Sequence, residues 1–201
     1  IRDFRVLGIL EKVRAQLTFK EIVSYVRLFG IRNTLFNNPQ SYEHADLRHE
    51  KYKDSIKIYG VVGIKGGARR TSGFINRSAV TSHIEAIDKY KIFFTTSFST
   101  NAIIPPQVIL ANPGEVCTET FLLIGPFSEL TDAKNCAKFI ETDFFRFLLF
   151  YGKGTMHVTR EVFSLIPLQD FSSEADIDWR KQTHAIDDQL YKKYMLSEQE
   201  I

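Results

Sequence analysis

The sequence predicts an α+β fold: a mixed β-sheet entered through a helical N-terminal segment, with one long amphipathic helix and a small helical C-terminal tail. Three observations lead there. Short runs rich in β-branched and aromatic residues fall between about residues 56 and 124. Apolar residues recur at three- and four-residue steps before residue 30 and again from about Thr131 to Tyr151. The composition, 44% hydrophobic and 25% charged with 17 Phe and 8 Tyr, is that of a folded chain with an aromatic-rich core. The expected organisation is a helical entry over 1–30, an α/β domain over 31–170 and a helical appendage over 171–201.

In chain order, Phe4, Leu7, Leu10, Val13 and Leu17 mark the first helical face. Thr18-Phe-Lys-Glu21 has the form of a capping box, restarting a helix through IVSYVRLF that Gly30 can end. Residues 31–55 are polar, with a turn at Asn37-Asn38-Pro39, and read as a solvated loop. Strands are expected at roughly 56–62, 73–75, 91–98, 107–111 and 118–124, with a short helix over 78–88. Cys136, Ile140, Phe144, Phe147, Leu148 and Tyr151 make the broad apolar face of the long helix. Val162–Leu168 reads as a strand closed by proline, and the acidic tail carries Trp179 and the amphipathic Leu190-Tyr-Lys-Lys-Tyr194.

The net charge is only +2, so binding to a polyanion has to come from local clustering. The clustering is there. From Ile56 to Arg77 the chain carries Lys57, Lys65, Arg69, Arg70 and Arg77 and no acidic residue, around the glycine-dense GIKGGARRTSG. Glycine permits sharp turns and close approach, while Arg and Lys contact phosphates and Arg reads guanine edges bidentately. Lys153 adds a second, smaller basic loop. These six are the candidates for DNA-backbone contact. Thr95, Thr96, Ser97, Ser99 and Asn101, with Thr155 and His157, offer hydroxyl, amide and imidazole groups for base edges. A solvated hairpin and the polar face of a half-buried strand are the competing readings of the same residues.

Other chemistries find little support. No phosphate-binding Gly-x-x-x-x-Gly-Lys-Ser/Thr occurs, because Lys65 stands where the second glycine belongs, and no Gly-x-Gly-x-x-Gly follows a strand. Pro105-Pro106 lacks the polar residue and the aromatic of a catalytic Asn/Asp-Pro-Pro-aromatic loop, since Ile104 and Gln107 flank it. Asp132-Ala-Lys134 opens a helix, and Glu50-Lys-Tyr-Lys53 and Asp88-Lys-Tyr-Lys91 have the wrong spacing for a nuclease metal site. His44 and His49 are not on one helical face, and Cys117 and Cys136 show no metal-type spacing. No catalytic residue and no metal ligand is assigned. The two cysteines fit a reducing, cytoplasmic setting, and no stretch approaches the length of an apolar membrane span. The chain opens at Ile1 and closes within a helical pattern, and it is expected to be a piece of a longer polypeptide.

Several segments together resemble a known family. They are Phe19-Lys-Glu-Ile-Val-Ser24 with Phe29-Gly30-Ile31 and Thr34, then Ile56-Lys-Ile-Tyr-Gly60 and Asp88-Lys-Tyr-Lys91. Pro113-Gly-Glu-Val-Cys-Thr-Glu-Thr-Phe-Leu-Leu-Ile-Gly-Pro-Phe127 is the strongest of them. Lys138, Thr142, Phe144–Leu148, Val162–Phe171, Leu190–Tyr194 and Leu196–Ile201 extend the match over nearly the whole chain. This set resembles the C-terminal target-recognition region of type II restriction–modification enzymes, the adenine-specific DNA methyltransferases and fused methylase–nuclease proteins of bacteria. The resemblance implies a recognition domain with exposed reading loops, whose partners are double-stranded DNA and an N-terminal catalytic domain of the same polypeptide. It implies no cofactor in this piece and S-adenosylmethionine in the catalytic part. The chain departs from the pattern at Thr95–Val108 and in the Gly66–Gly73 loop, so no base assignment carries over. A stand-alone Mg²⁺-dependent endonuclease and a protein-interaction module docking through helix 131–151 are the alternatives.

Overall fold

The computed structural model describes residues 5–65 and 67–200; Phe4 of the expected first helix, Gly66 of the basic turn and the closing Ile201 lie outside them. Contacts divide the chain into two units along lines the sequence did not suggest. One gathers residues 1–23, 97–107 and 129–201, the other residues 24–96 and 108–128. Each is taken by itself.

The second of these is the β unit. Strand β1 (Ser55–Ile64) pairs antiparallel with β2 (Gly67–Asn76). With β3 (Tyr90–Thr95), β4 (Ile109–Ala111), β5 (Glu115–Cys117) and β6 (Phe121–Phe127), the unit forms two three-stranded sheets. The first, ordered β2-β1-β5, is mixed, because β5 runs parallel to β1 with Lys57 opposite Glu115 and Tyr59 opposite Cys117. The second, β4-β3-β6, is antiparallel throughout. Sheet and helix together make this an α+β protein. Alternation along β1 turns Ile56 and Ile58 into a core shared with Ile75, Phe93, Val116, Phe121 and Leu123.

The helical unit is built around a cluster of phenylalanines. Phe19 lies 5.2 Å from Phe145 and 5.8 Å from both Phe139 and Phe163, centroid to centroid. Phe139 and Phe171 extend the cluster to Trp179 at 6.0 and 5.4 Å. The long amphipathic helix is in fact two, α3 (Leu130–Ile140) and α4 (Asp143–Gly152). The break is chemical: Thr142 caps α4, its Oγ1 accepting from Phe145 N at 3.1 Å and donating to Phe139 O at 2.6 Å. Asp187 on α5 (Thr183–Lys193) accepts from Asp143 N and Phe144 N at 3.1 and 2.9 Å, against a burial that raises its pKa. The C-terminal segment is thereby tied into the unit.

Four other expectations change. Residues 31–55 are not a solvated loop: they hold the short helix α2 (Thr34–Asn37) and a 3-10 stretch over Pro39–Ala45, and Ile31, Leu35 and Ala45 are buried in the core of the β unit. Helix α1 covers only Arg5–Val13, and Phe19–Ile22 is a single 3-10 turn in which Thr18 makes no side-chain cap. The β-branched Val23 goes extended, and Arg27 takes a left-handed φ of 63°, so no second helix runs to Gly30. Residues 78–88 hold two 3-10 turns, Arg77–Ala79 and Ile84–Ala86. The Val162–Leu168 strand is replaced by a 3-10 turn over Arg160–Leu165 and one isolated bridge between Thr18 and Pro167.

Candidate nucleic-acid interface

The acid-free basic segment folds as one long hairpin. Its ten-residue strands pair without a bulge from Ser55↔Asn76 to Ile64↔Gly67, with the turn at Lys65. Arg69 and Arg70 are therefore strand residues opposite Val62 and Val61, not members of a glycine loop. The reason lies in what the glycines do. Gly60 stands against Phe36, whose ring would lie 2.3 Å from an added Cβ, and Gly73 against Leu47 and the Arg48 carbonyl at 2.8 and 3.0 Å. These two are close-approach positions inside strands. At Gly63 and Gly67 an added Cβ meets nothing within 4 Å. The base of the hairpin is packed and its end stands clear.

Asn33 marks the boundary. Its side chain accepts from Val61 N at 2.8 Å and donates to Val61 O at 2.6 Å, filling the place of a further strand, and Thr118 Oγ1 donates to it at 3.2 Å. Beyond that clamp, Gly63, Ile64, Lys65, Gly67, Ala68, Arg69 and Arg70 are all exposed. Opposite residues of an antiparallel pair share a face and neighbours alternate. Arg69 thus lies on the face of Val62 and Ile64, and Arg70 on that of Val61 and Tyr59.

The five basic residues of this segment separate into two kinds. Lys57 is held 3.8 Å from Glu115 and 4.6 Å above the Tyr59 ring, and Tyr59 itself donates to Glu115 at 3.2 Å. The Tyr59 contact and the Glu115 charge together raise the Lys57 pKa. Arg77 donates twice to Asp88, at 2.9 and 2.6 Å, which raises the pKa of the guanidinium and lowers that of the carboxyl. Both charges are answered within the chain. Lys65 and Arg69 have no ion-pair partner among the described residues. Arg70 reaches over the Phe121 ring at 5.8 Å, and partial burial lowers its pKa.

A buried cation lies under the second sheet. Lys91, fully buried, donates to the carbonyls of Lys89, Ile87 and Asn112 at 2.7, 2.9 and 3.2 Å. Burial brings its pKa down to about 8, opposed by the charges of Glu115 and Asp88 and by Cys117. Its three N–H groups meet three acceptors, so it is a brace of the fold.

The remaining candidates fall in two places. Thr95 is half-buried on β3, and Thr96 spends both its N–H and its hydroxyl on Thr120 O, at 3.0 Å each. In the helical unit the structure joins the two loops expected to read bases. Ser97 bridges His157, and Phe98 N donates to Met156 O at 3.1 Å. Lys153 is what holds them: it is 6% exposed, donates to Ser99 O at 2.5 Å and sits 3.6 Å above the Phe98 ring. Burial lowers its pKa, and it is not placed to reach a phosphate. Around it Ser97, Ser99, Asn101, Thr155 and His157 are exposed, as are Ile103, Ile104 and Met156.

Among the described residues no three His, Cys, Asp or Glu side chains gather in a way that holds a metal ion. No helix among them is long and apolar enough to cross a membrane. Of the expected docking face of the long helix, Cys136, Ile140, Phe144 and Leu148 are buried within their own unit, and Phe147 and Tyr151 are half-buried. Asn33 and Glu115, which fix the hairpin and Lys57, carry no local signal of pairing: Asn33 sits in a polar stretch, and Glu115 in a segment marked only by the family resemblance. Compared with known proteins, the chain matches no family model, no curated protein and no solved structure.

Proposed function

We propose that this chain is a DNA target-recognition domain, binding a short sequence in duplex DNA. The observation that carries the reading is the far half of the β1–β2 hairpin. It exposes Lys65, Arg69 and Arg70 on an arm with no acidic residue between Ser55 and Asn76, beyond a base anchored by packing and by Asn33. Exposed cations on a hairpin arm suit phosphate contact, which sets register and supplies affinity for any duplex. The exposed polar loops at Ser97–Asn101 and Thr155–His157 supply donors and acceptors for base edges. Following the family resemblance, the domain serves a bacterial, cytoplasmic restriction–modification enzyme. Its N-terminal part would bind S-adenosylmethionine and methylate adenine N6 on a base taken out of the stack.

The test is direct titration of a 24-base-pair mixed-sequence duplex with the purified chain at several salt concentrations. The reading predicts micromolar or tighter binding that weakens steeply with salt, and intact DNA after prolonged incubation with Mg²⁺. Absence of duplex binding at low salt refutes it, and Mg²⁺-dependent cutting transfers the function to the nuclease alternative.

A further inference from the structure

The hairpin arm has dimensions and a distribution of side chains that favour one site on a duplex. We propose that the β1–β2 arm enters the major groove tip first, with Lys65 and Ile64 toward the base edges and Arg69 and Arg70 toward opposite walls. This rests on the reading of the chain as a duplex-binding domain.

Four residue pairs, from Val61↔Arg70 to Ile64↔Gly67, lie at or beyond the Asn33 clamp. At about 3.4 Å per residue they and the turn project roughly 10 Å or slightly more. The major groove is about 8.5 Å deep and about 12 Å wide, and it admits a two-stranded ribbon. The minor groove, about 6 Å wide, takes a two-stranded ribbon only by widening and bending the duplex, at a cost of a few kcal/mol.

The charges agree with that placement. Arg69 and Arg70 are neighbours in sequence and lie on opposite faces of the ribbon, Arg69 on the projecting part and Arg70 at the clamp beside Phe121, where it meets the phosphates at the mouth of the groove. Lys65 sits at the tip, where the groove floor presents guanine O6 and N7 acceptors. Ile64, 50% exposed beside it, has the apolar surface that contacts a thymine methyl. Gly63, Gly67 and Ala68 keep the ribbon slender where it must fit between the walls.

A block placed in one groove at a time tests this. The chain is titrated with one 24-base-pair duplex in three forms: unmodified, with cytosines replaced by glucosylated 5-hydroxymethylcytosine, and preloaded with netropsin. The duplex carries A·T runs, which netropsin requires; the glucose fills the major groove and netropsin the minor groove at those runs, and titrations at near-physiological salt limit the effect of netropsin's own charge. The proposal predicts at least tenfold weaker binding to the glucosylated duplex and less than twofold change with netropsin. It also predicts that R69Q and R70Q each weaken binding to the unmodified duplex, with the melting temperature of R69Q within about 2 °C of the parent and that of R70Q, which also leaves the Phe121 ring, within about 4 °C. Binding displaced by netropsin and indifferent to glucose overturns the groove assignment and leaves duplex recognition standing. Equal binding of all three forms does the same. Failure to bind any form overturns both readings.

Discussion

Replacing the exposed arginines of the arm should flatten the salt dependence of DNA binding, and replacing the cations paired with carboxylates within the fold should not. The perturbation is a matched set: Arg69→Gln with Arg70→Gln at the tip, against Lys57→Gln and Arg77→Gln at the base. Every phosphate that a variant no longer neutralises lowers the slope of log affinity against log salt by about 0.9. Two such phosphates at the tip therefore remove about 1.8 from the slope, and raising salt from 50 to 200 mM then costs the variant about tenfold less affinity than the parent. Lys57 sits 3.8 Å from Glu115 and Arg77 is paired twice with Asp88, so neither releases a counterion from DNA. Their variants should keep the parental slope and lose at most about 1 kcal/mol of stability. Arg70 should also show a small stability loss, about 0.5–1 kcal/mol, from its place over Phe121. The assay is fluorescence anisotropy of one labelled duplex across four salt concentrations, with thermal melts of every variant. An unchanged slope in the tip double variant, or an equal flattening in the base variants, refutes the division of the basic residues.

Other outcomes follow from the packing. Gly60→Val drives a side chain into the Phe36 ring and should cost about 2–3 kcal/mol in urea unfolding, whereas Gly63→Ala, in open space, should leave the midpoint unchanged. Lys91→Met takes the ammonium donor from Lys89 O, while Ile87 O and Asn112 O keep Gly114 N and Glu115 N, and should cost about 1–2 kcal/mol. Lys91 has a folded pKa of about 8 against an ordinary 10.5, so from pH 8 upward the unfolded chain keeps a proton that the folded one releases. The parent should accordingly gain stability relative to Lys91→Met between pH 8 and 10, and the two should run parallel below pH 7. Asp187→Ala removes the acceptor of Asp143 N and Phe144 N and should destabilise by about 2 kcal/mol, read by the same unfolding assay.

The parts of this fold that were legible in the sequence are those where local pattern and burial agree. The β3 and β6 runs are apolar on both faces and pair with each other in one sheet, β3 at its centre and β6 at its edge, and the Phe-rich stretch after Thr131 is helical as its periodicity requires. Three kinds of feature were not legible. Glycines inside β1 and β2 looked like turn residues because the Phe36 ring and Leu47 that demand them come from elsewhere in the chain. Thr142 split a continuous apolar stripe by capping from within, which a periodicity count does not register. The sequence showed which residues are basic but not which were answered: Glu115 is 58 positions from Lys57, and nothing local announces the pair (115 minus 57). Lys153 is the sharpest instance, a lysine in a glycine loop that turns out to be the internal strut of that loop.

The central claim is sequence-specific recognition of duplex DNA. The most direct measurement is selection from a pool of randomised duplexes by the purified chain at near-physiological salt, with the retained fraction sequenced. Enrichment of one short motif, abolished when the Ser97–Asn101 loop is replaced by glycine and serine, is the predicted result. Retention of duplexes with no motif enriched, or no retention at all, contradicts it.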